Sequence, residues 1–167
     1  GATIKTLTAS GDPNAQAGAS VTVQGLAGVG SKADAVLLSG PGSGIISDAQ
    51  GAGTVRAGDV GVHAKTVSMS DGAVIQAGTL DTTAAGGNVT INAGSIDIFN
   101  ESGISSQASR ADAGQIHISA DTLILNNVSI SSNTVSTGRG GNVTLNVGTV
   151  HLSNGAKINS STSDVGR

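Results

Sequence analysis

The sequence contains no cysteine, no tryptophan and no tyrosine, and Phe99 is its single aromatic residue. Without cysteine, no disulfide staples the fold, and zinc–thiolate sites and cysteine nucleophiles are excluded. A globular core in a chain of 167 residues normally draws on several aromatic side chains. Charge is scarce as well: 11% of residues are Asp, Glu, Lys or Arg, and the formal net charge is −3. That balance offers no basic face to nucleic acid. No apolar run approaches the ~20 residues of a membrane-spanning helix. No signal peptide is legible, because Gly1-Ala2-Thr3-Ile4 already reads as strand material, so the chain reads as a fragment of a larger protein.

What is abundant is glycine, at 26 residues, together with small aliphatic side chains. A disordered chain would carry more charge and less Val, Ile and Leu. The aliphatics recur in a pattern. Gly87-Asn88-Val89-Thr90-Ile91-Asn92 returns as Gly114-Gln115-Ile116-His117-Ile118-Ser119 and again as Gly141-Asn142-Val143-Thr144-Leu145-Asn146, each start 27 residues after the last. An older copy begins at Gly58-Asp59-Val60, and the most degraded one opens on Val21-Thr22-Val23.

Each coil holds three short alternating segments. The first is Val89-x-Ile91 and its matches. The second is Ile96-x-Ile98, matched by Val67-x-Met69, Leu123-x-Leu125 and Val150-x-Leu152. The third is marked by Ile104, with Ile4, Ile75, Ile130 and Ile158 as its counterparts. Alternation puts one side of each strand inward and the other in solvent. The pattern predicts an all-β, right-handed parallel β-helix with three short strands per coil. About five coils of ~27 residues, stacked at about 4.8 Å, would form a rod on the order of 25 Å long.

An Asn or Asp follows the second strand at Asp71, Asn100, Asn127 and Asn154, where a sharp corner calls for left-handed backbone. Stacked corners predict amide ladders along the axis, with Asp71 weakening the ladder at its end. A Gly-Ala pair precedes the third strand at Gly1-Ala2, Gly72-Ala73 and Gly155-Ala156. The organisation is one continuous solenoid domain, degenerate over residues 1–57 and regular over residues 58–167. Two insertions interrupt the first part, at about residues 10–19, including Pro13, and 24–35. The second rests on the 12 residues between Val23 and Val36, where regular coils have four. Loops on a scaffold are where recognition often sits.

The closest copy of the pattern, GNVTLNVGTVHLSNGAKINSST over Gly141 to Thr162, resembles the repeats of secreted filamentous-haemagglutinin-like exoproteins of Gram-negative bacteria and cyanobacteria. The resemblance covers Gly58 to Arg167 well and Gly1 to Ala57 loosely. It implies a long right-handed β-helix, exported by two-partner secretion through an outer-membrane transporter and used in surface adhesion. That family's secretion domain carries an Asn-Pro-rich signature. Here Pro13-Asn14 stands in the reverse order, so the chain resembles the repetitive shaft. The expected partners are a host-cell or surface glycan or receptor and the transporter. Open sheet edges at the two ends of such a rod also predict end-to-end self-association.

Chemistry is harder to find. Asp97 and His151 fall on the outer face of the second strand, two coils apart with Ile124 between them, a separation of roughly 9.6 Å. That is too far for a hydrogen-bonded acid–base pair. His117 sits between Thr90 and Thr144, and His63 lines up with Asn92, Ser119 and Asn146; all three histidines read as solvated surface residues. No calcium-binding loop pattern is present. Gly86-Gly87 and Gly140-Gly141 are corner glycines, since no helix follows them to make a phosphate loop. Gly138-Arg139-Gly140 reads as a solvated turn. Phe99 aligns with Asn126 and Ser153 and builds no aromatic platform for sugar. The outward set Thr22, Gly61, Thr90, His117 and Thr144 is too irregular for an ice-binding array. No catalytic, cofactor or metal residues are assigned. The expected function is a non-enzymatic shaft segment of a secreted or surface-exposed bacterial adhesin. A carbohydrate- or receptor-binding module comes second and a polysaccharide lyase or hydrolase third.

Overall fold

The computed structural model describes residues 1–9, 18–50, 55–80 and 83–163. The strands among them are β1 (Thr3–Ala9), β2 (Val21–Val23), β3 (Ala33–Ser39), β4 (Gly44–Gln50), β5 (Val60–Ser70), β6 (Val74–Leu80) and β7 (Val89–Asn92), then β8 (Ser95–Phe99), β9 (Gly103–Ala108), β10 (Ile116–Asn126), β11 (Ser129–Thr134), β12 (Val143–Ser153) and β13 (Lys157–Thr162). One sheet has six strands in the order β1-β4-β6-β9-β11-β13. The other runs β12-β10-β7-β5-β2, with β3 on β5 and β8 between β5 and β10. The pairings between these strands are parallel, which requires each strand to be followed by a trip around the rod before its neighbour forms. The protein is an all-β parallel β-solenoid of about four turns with a repeat of roughly 29 residues.

The 27-residue step holds where it was read: Val89, Ile116 and Val143 lie in register. Upstream the step widens, with equivalent positions 29 residues apart at Asp59 and Asn88 and 39 apart at Ser20 and Asp59. The first and second segments of a coil join into single strands of 11 residues in β5, β10 and β12. The burial pattern still separates them. In β10, Ile116 and Ile118 point inward, the alternation breaks at Asp121 and Thr122, and Leu123 and Leu125 point inward again. The break shifts the inward set by one residue, and that shift is the corner between two faces of the rod.

The core is a set of straight aliphatic rows. Val62, Ile91, Ile118 and Leu145 stack in one. Ile4, Ile45, Ile75, Ile104, Ile130 and Ile158 stack in another. Ile45 and its strand β4 escape the sequence pattern because their corner is Gly40-Pro41-Gly42, with Gly40 at φ 90° and Gly42 at φ 75°, and carries no Asn. The four expected corner residues adopt left-handed backbone: Asp71 (φ 58°), Asn100 (52°), Asn127 (54°) and Asn154 (50°). Gly72 and Gly155 follow at positive φ, but Glu101 takes the same place at φ 62° with a full side chain.

A different corner opens each repeat. There Gly58, Gly87, Gly114 and Gly141 stack so tightly that a Cβ on Gly87 would meet the Gly58 carbonyl oxygen, and one on Gly114 would meet that of Gly87. An interior serine completes two of these joints, while Ala77 holds the equivalent position at the Gly58–Gly87 joint. Ser106 Oγ donates to Gly87 O (2.7 Å) and accepts from Gly114 N (2.8 Å). Ser132 Oγ donates to Gly114 O (2.7 Å) and accepts from Gly141 N (3.0 Å). Polar groups this deep must be paired, and these pair adjacent coils.

The loop assigned to residues 24–35 is shorter than expected. Ala33 and Ala35 pair with Ala64 and Thr66 inside β3, leaving residues 24–32 outside the rod. Of the insertion at residues 10–19, residues 10–17 lie outside the described residues. Gly18 and Ala19 already belong to the stack, with Gly18 N donating to Arg56 O (2.7 Å).

Two outcomes test this account. Replacing Ile118, fully buried in its row, with Asp is expected to cost more than about 4 kcal/mol, a lost aliphatic contact plus an unpaired buried carboxylate. An unchanged denaturation midpoint would contradict its inward placement. Conversely, Glu101→Gly is expected to stabilise the chain by about 1 kcal/mol in urea unfolding, since left-handed backbone is costly for a residue with a Cβ.

Candidate functional site

The register places the outward residues as the sequence implied and shows how little they share. On the second face the row reads Leu37, Ser68, Asp97, Ile124, His151. Asp97 and His151 are therefore on one line, with the Ile124 side chain between them, and no acid–base pair forms. On the first face Thr22, Gly61, Thr90, His117 and Thr144 form a row, and His63 leads Asn92, Ser119 and Asn146 in the next. His117 Nε2 bonds only locally, to Ser119 Oγ two positions along its strand (3.2 Å). Phe99 has Asn126 and Ser153 beside it in register. Arg139 is exposed, and its backbone N–H donates to Asp112 Oδ1 (2.7 Å). Among the described residues, no group of three or more His, Asp or Glu side chains converges to hold a metal ion.

The loop over residues 24–32 is the most distinct surface feature. It is closed by Gly25 N donating to Ser31 O (3.0 Å) and by Ser31 N and Oγ donating to Gly28 O (3.1 and 2.7 Å). Gly28 and Gly30, at φ 94° and 82°, make the tight reversals that other residues would resist. Two apolar side chains are held out at its tip: Leu26 is 108% exposed and Val29 99%. Behind them runs an open cleft lined by Gln24, Gly25, Leu26, Lys32, Ala33 and Asp34. At the loop's base, Lys65 Nζ pairs with Asp34 Oδ1 (2.6 Å). The hydrogen bond and the charge of Lys65 hold the Asp34 carboxyl below its usual range, and Asp34 raises Lys65 in return. The insertion was legible from residue spacing. Its two exposed apolar residues were not, because the same residue types fill the core elsewhere.

A second open trough follows the Asn corners, lined by Pro41, Asp71, Gly72, Asn100, Glu101 and Asn127. Asp71 does not weaken the ladder there, contrary to expectation. Its Oδ1 accepts from Asn100 Nδ2 (2.9 Å), so the carboxylate serves as the terminal acceptor. Further along, Asn154 Nδ2 donates to Asn126 Oδ1 (2.9 Å), one residue off the expected row. Sequence reasoning also missed a paired charge. Asp48 is buried at 4% exposure, with Lys5 Nζ 3.2 Å from Oδ2 and Gln76 Nε2 donating to Oδ1 (3.0 Å). It sits on β4, the strand that the corner pattern did not reveal, and it ties three successive third-face strands together.

No family model, curated protein or solved structure matches the chain. The parallel β-solenoid itself is the part of the sequence resemblance that the structure bears out.

The hydrogen bond from Asn100, followed by those from Ser70 and Ser39, holds the Asp71 carboxyl below the usual carboxylate range. With the folded pKa below the unfolded one, this contribution to stability is full above the ordinary carboxylate pKa. It is lost as pH falls through the folded value. Asn100→Ala is expected to move the Asp71 pKa back up, read by NMR titration of its carboxyl carbon. A pKa unmoved by the substitution would dissociate the ladder from the shift.

Proposed function

We propose that this chain is a non-enzymatic structural shaft segment of a secreted or surface-exposed bacterial adhesin of the filamentous-haemagglutinin-like kind. The observation that carries the reading is the contrast between inside and outside. Inward rows keep their character, aliphatic in most and Ser or Ala in the row of Ser47, Ala77, Ser106 and Ser132, and the left-handed corners recur at one register, while outward rows drift from Ser to Asp to Ile to His. A repeated binding or catalytic array would need its outward chemistry repeated. A shaft needs only that neighbouring coils stack, so that stability accumulates along the rod. In this reading the chain belongs to the surface of a Gram-negative or cyanobacterial cell, after passage through an outer-membrane transporter. The absence of Cys suits a chain threaded through a pore unfolded.

A second reading is favoured by one observation: Leu26 and Val29 at the tip of the loop. An apolar tip on a stiff scaffold suits a receptor contact. Glycan arrays and cell-binding assays on the chain and on the Leu26→Ser/Val29→Ser variant separate the two. The shaft reading expects no binding by either protein. Binding by the parent that the variant loses would place recognition in this segment. Turnover of uronate polymers abolished by Asp97→Asn or His151→Ala would replace both readings with an enzyme.

A further inference from the structure

One inward row of the third face is made of Ser47, Ala77, Ser106 and Ser132, each the register partner of the next. Its hydroxyls hold the corner that opens the repeat. Ser47 Oγ donates to Ala19 O (3.0 Å), Ser106 Oγ to Gly87 O and Ser132 Oγ to Gly114 O (both 2.7 Å). Ser106 and Ser132 also accept the Gly114 and Gly141 amides of the coil that follows. Ala77 interrupts the row. Its methyl group offers no proton to Gly58 O and no lone pair to Gly87 N, the two groups that a hydroxyl in that place would bridge. Both glycines are buried, where backbone groups are costly to leave unbridged.

The same joint is gripped from outside, by charge. Arg56 Nη2 lies 2.6 Å from Asp59 Oδ1 within the earlier coil. From that pair, Arg56 Nε donates to Gly86 O (3.3 Å), and Asp59 Oδ1 accepts from Asn88 N (2.8 Å). These contacts fall on either side of Gly87, so the ion pair straddles the glycine whose joint has no hydroxyl. The next joint is built differently. Ser106 stands inside it, and on the outside a neutral amide oxygen, Asn88 Oδ1, accepts from Gln115 N (2.9 Å). The Arg56 and Asp59 side chains are 40% and 49% exposed. An ion pair so open to solvent is weak and is screened by salt, whereas a buried hydroxyl bridge is not.

The joint also has a distinct place in the chain. It lies where the degenerate coils of residues 1–57 meet the regular ones, and the step across it, 29 residues from Asp59 to Asn88, becomes 27 at the next, from Asn88 to Gln115. We infer that the Gly58–Gly87 corner is the compliant joint of the rod: among the interior corners it opens first, and its opening follows ionic strength. The ladders of β4 with β6 and of β5 with β7 flank the corner and confine the motion to it.

Amide hydrogen exchange resolved by NMR on the whole chain tests this. The Gly87 and Gly114 amides are the pair to compare, since each of these glycines has a coil stacked on both sides. Gly87 is expected to exchange about tenfold faster than Gly114. Raising sodium chloride from about 20 mM to about 500 mM is expected to speed Gly87 several-fold further and to leave Gly114 unmoved. Ala77→Ser should bring Gly87 to the Gly114 rate and remove its salt response, and Ser106→Ala should give Gly114 the faster rate. Arg56→Gln should speed Gly87 at low salt. Equal rates at the two glycines of the unmodified chain overturn the inference, and so does a Gly87 rate that salt does not move. A folded Ala77→Ser chain in which Gly87 exchanges as before overturns it too. The first two readings need no variant, so they decide the matter even where a substitution prevents folding.

Discussion

The distance at which one coil's backbone can lie on the next is set at the corner that opens each repeat. There the glycines at positions 58, 87, 114 and 141 leave no volume for a side chain, and the carbonyl of one coil occupies the place where a Cβ of the next would be. The backbone ladder spacing of about 4.8 Å is carried up to the corner by inter-coil bonds such as Gly86 N to Asp112 O (3.0 Å) and Val89 N to Gln115 O (2.9 Å), but at the corner itself the amides of Gly114 and Gly141 turn to serine hydroxyls. The interior serines supply what the ladder lacks. Each hydroxyl takes a carbonyl from one coil and an amide from the next, so the corner is held at the spacing of the strands on either side. The straight aliphatic rows depend on this, because a corner that opened by a fraction of an ångström would tilt every residue stacked above it.

With spacing fixed, the core needs only side chains that repeat well on themselves. Aliphatics do so because a row of isoleucines or valines presents the same shape at every level, and the near-absence of aromatics follows from the same condition. A ring large enough to fill the rod at one level would have to be accommodated at the next. The single Phe99 is therefore on the outside, beside Asn126 and Ser153.

Much of this was legible in the sequence, and the exceptions have physical causes. The inward rows and the left-handed corners at Asp71, Asn100, Asn127 and Asn154 could be read from alternation and residue type alone, because both respond to local backbone geometry. Strand β4 could not: its corner reaches positive φ with glycines on either side of Pro41, which is also how an ordinary loop is written. Hidden with it was Asp48, whose pairing with Lys5 and Gln76 exists only once β1, β4 and β6 are neighbours. The outer boundary of the loop was misplaced by three residues because Ala33 to Ala35 are too small to signal a strand without their partner β5 in view. The candidate site was the least legible feature. Leu26 and Val29 differ from core residues only in where the fold leaves them.

Five side-chain oxygens that accept backbone amides between coils share a direction. Asp59 N–H donates to Ser20, Asn88 N–H to Asp59, Gln115 N–H to Asn88 and Arg139 N–H to Asp112, and Ser161 N–H donates to Asn133. In each case the acceptor belongs to the earlier coil and the amide to the later one. Other bonds run the opposite way: Ala2 N–H donates to Ser43 Oγ, Arg56 Nε to Gly86 O and Val60 N–H to Asn88 O, with the acceptor in the later coil. A coil already in place therefore presents preset oxygen atoms to a neighbour added at either end, and the rod can template its own extension in both directions.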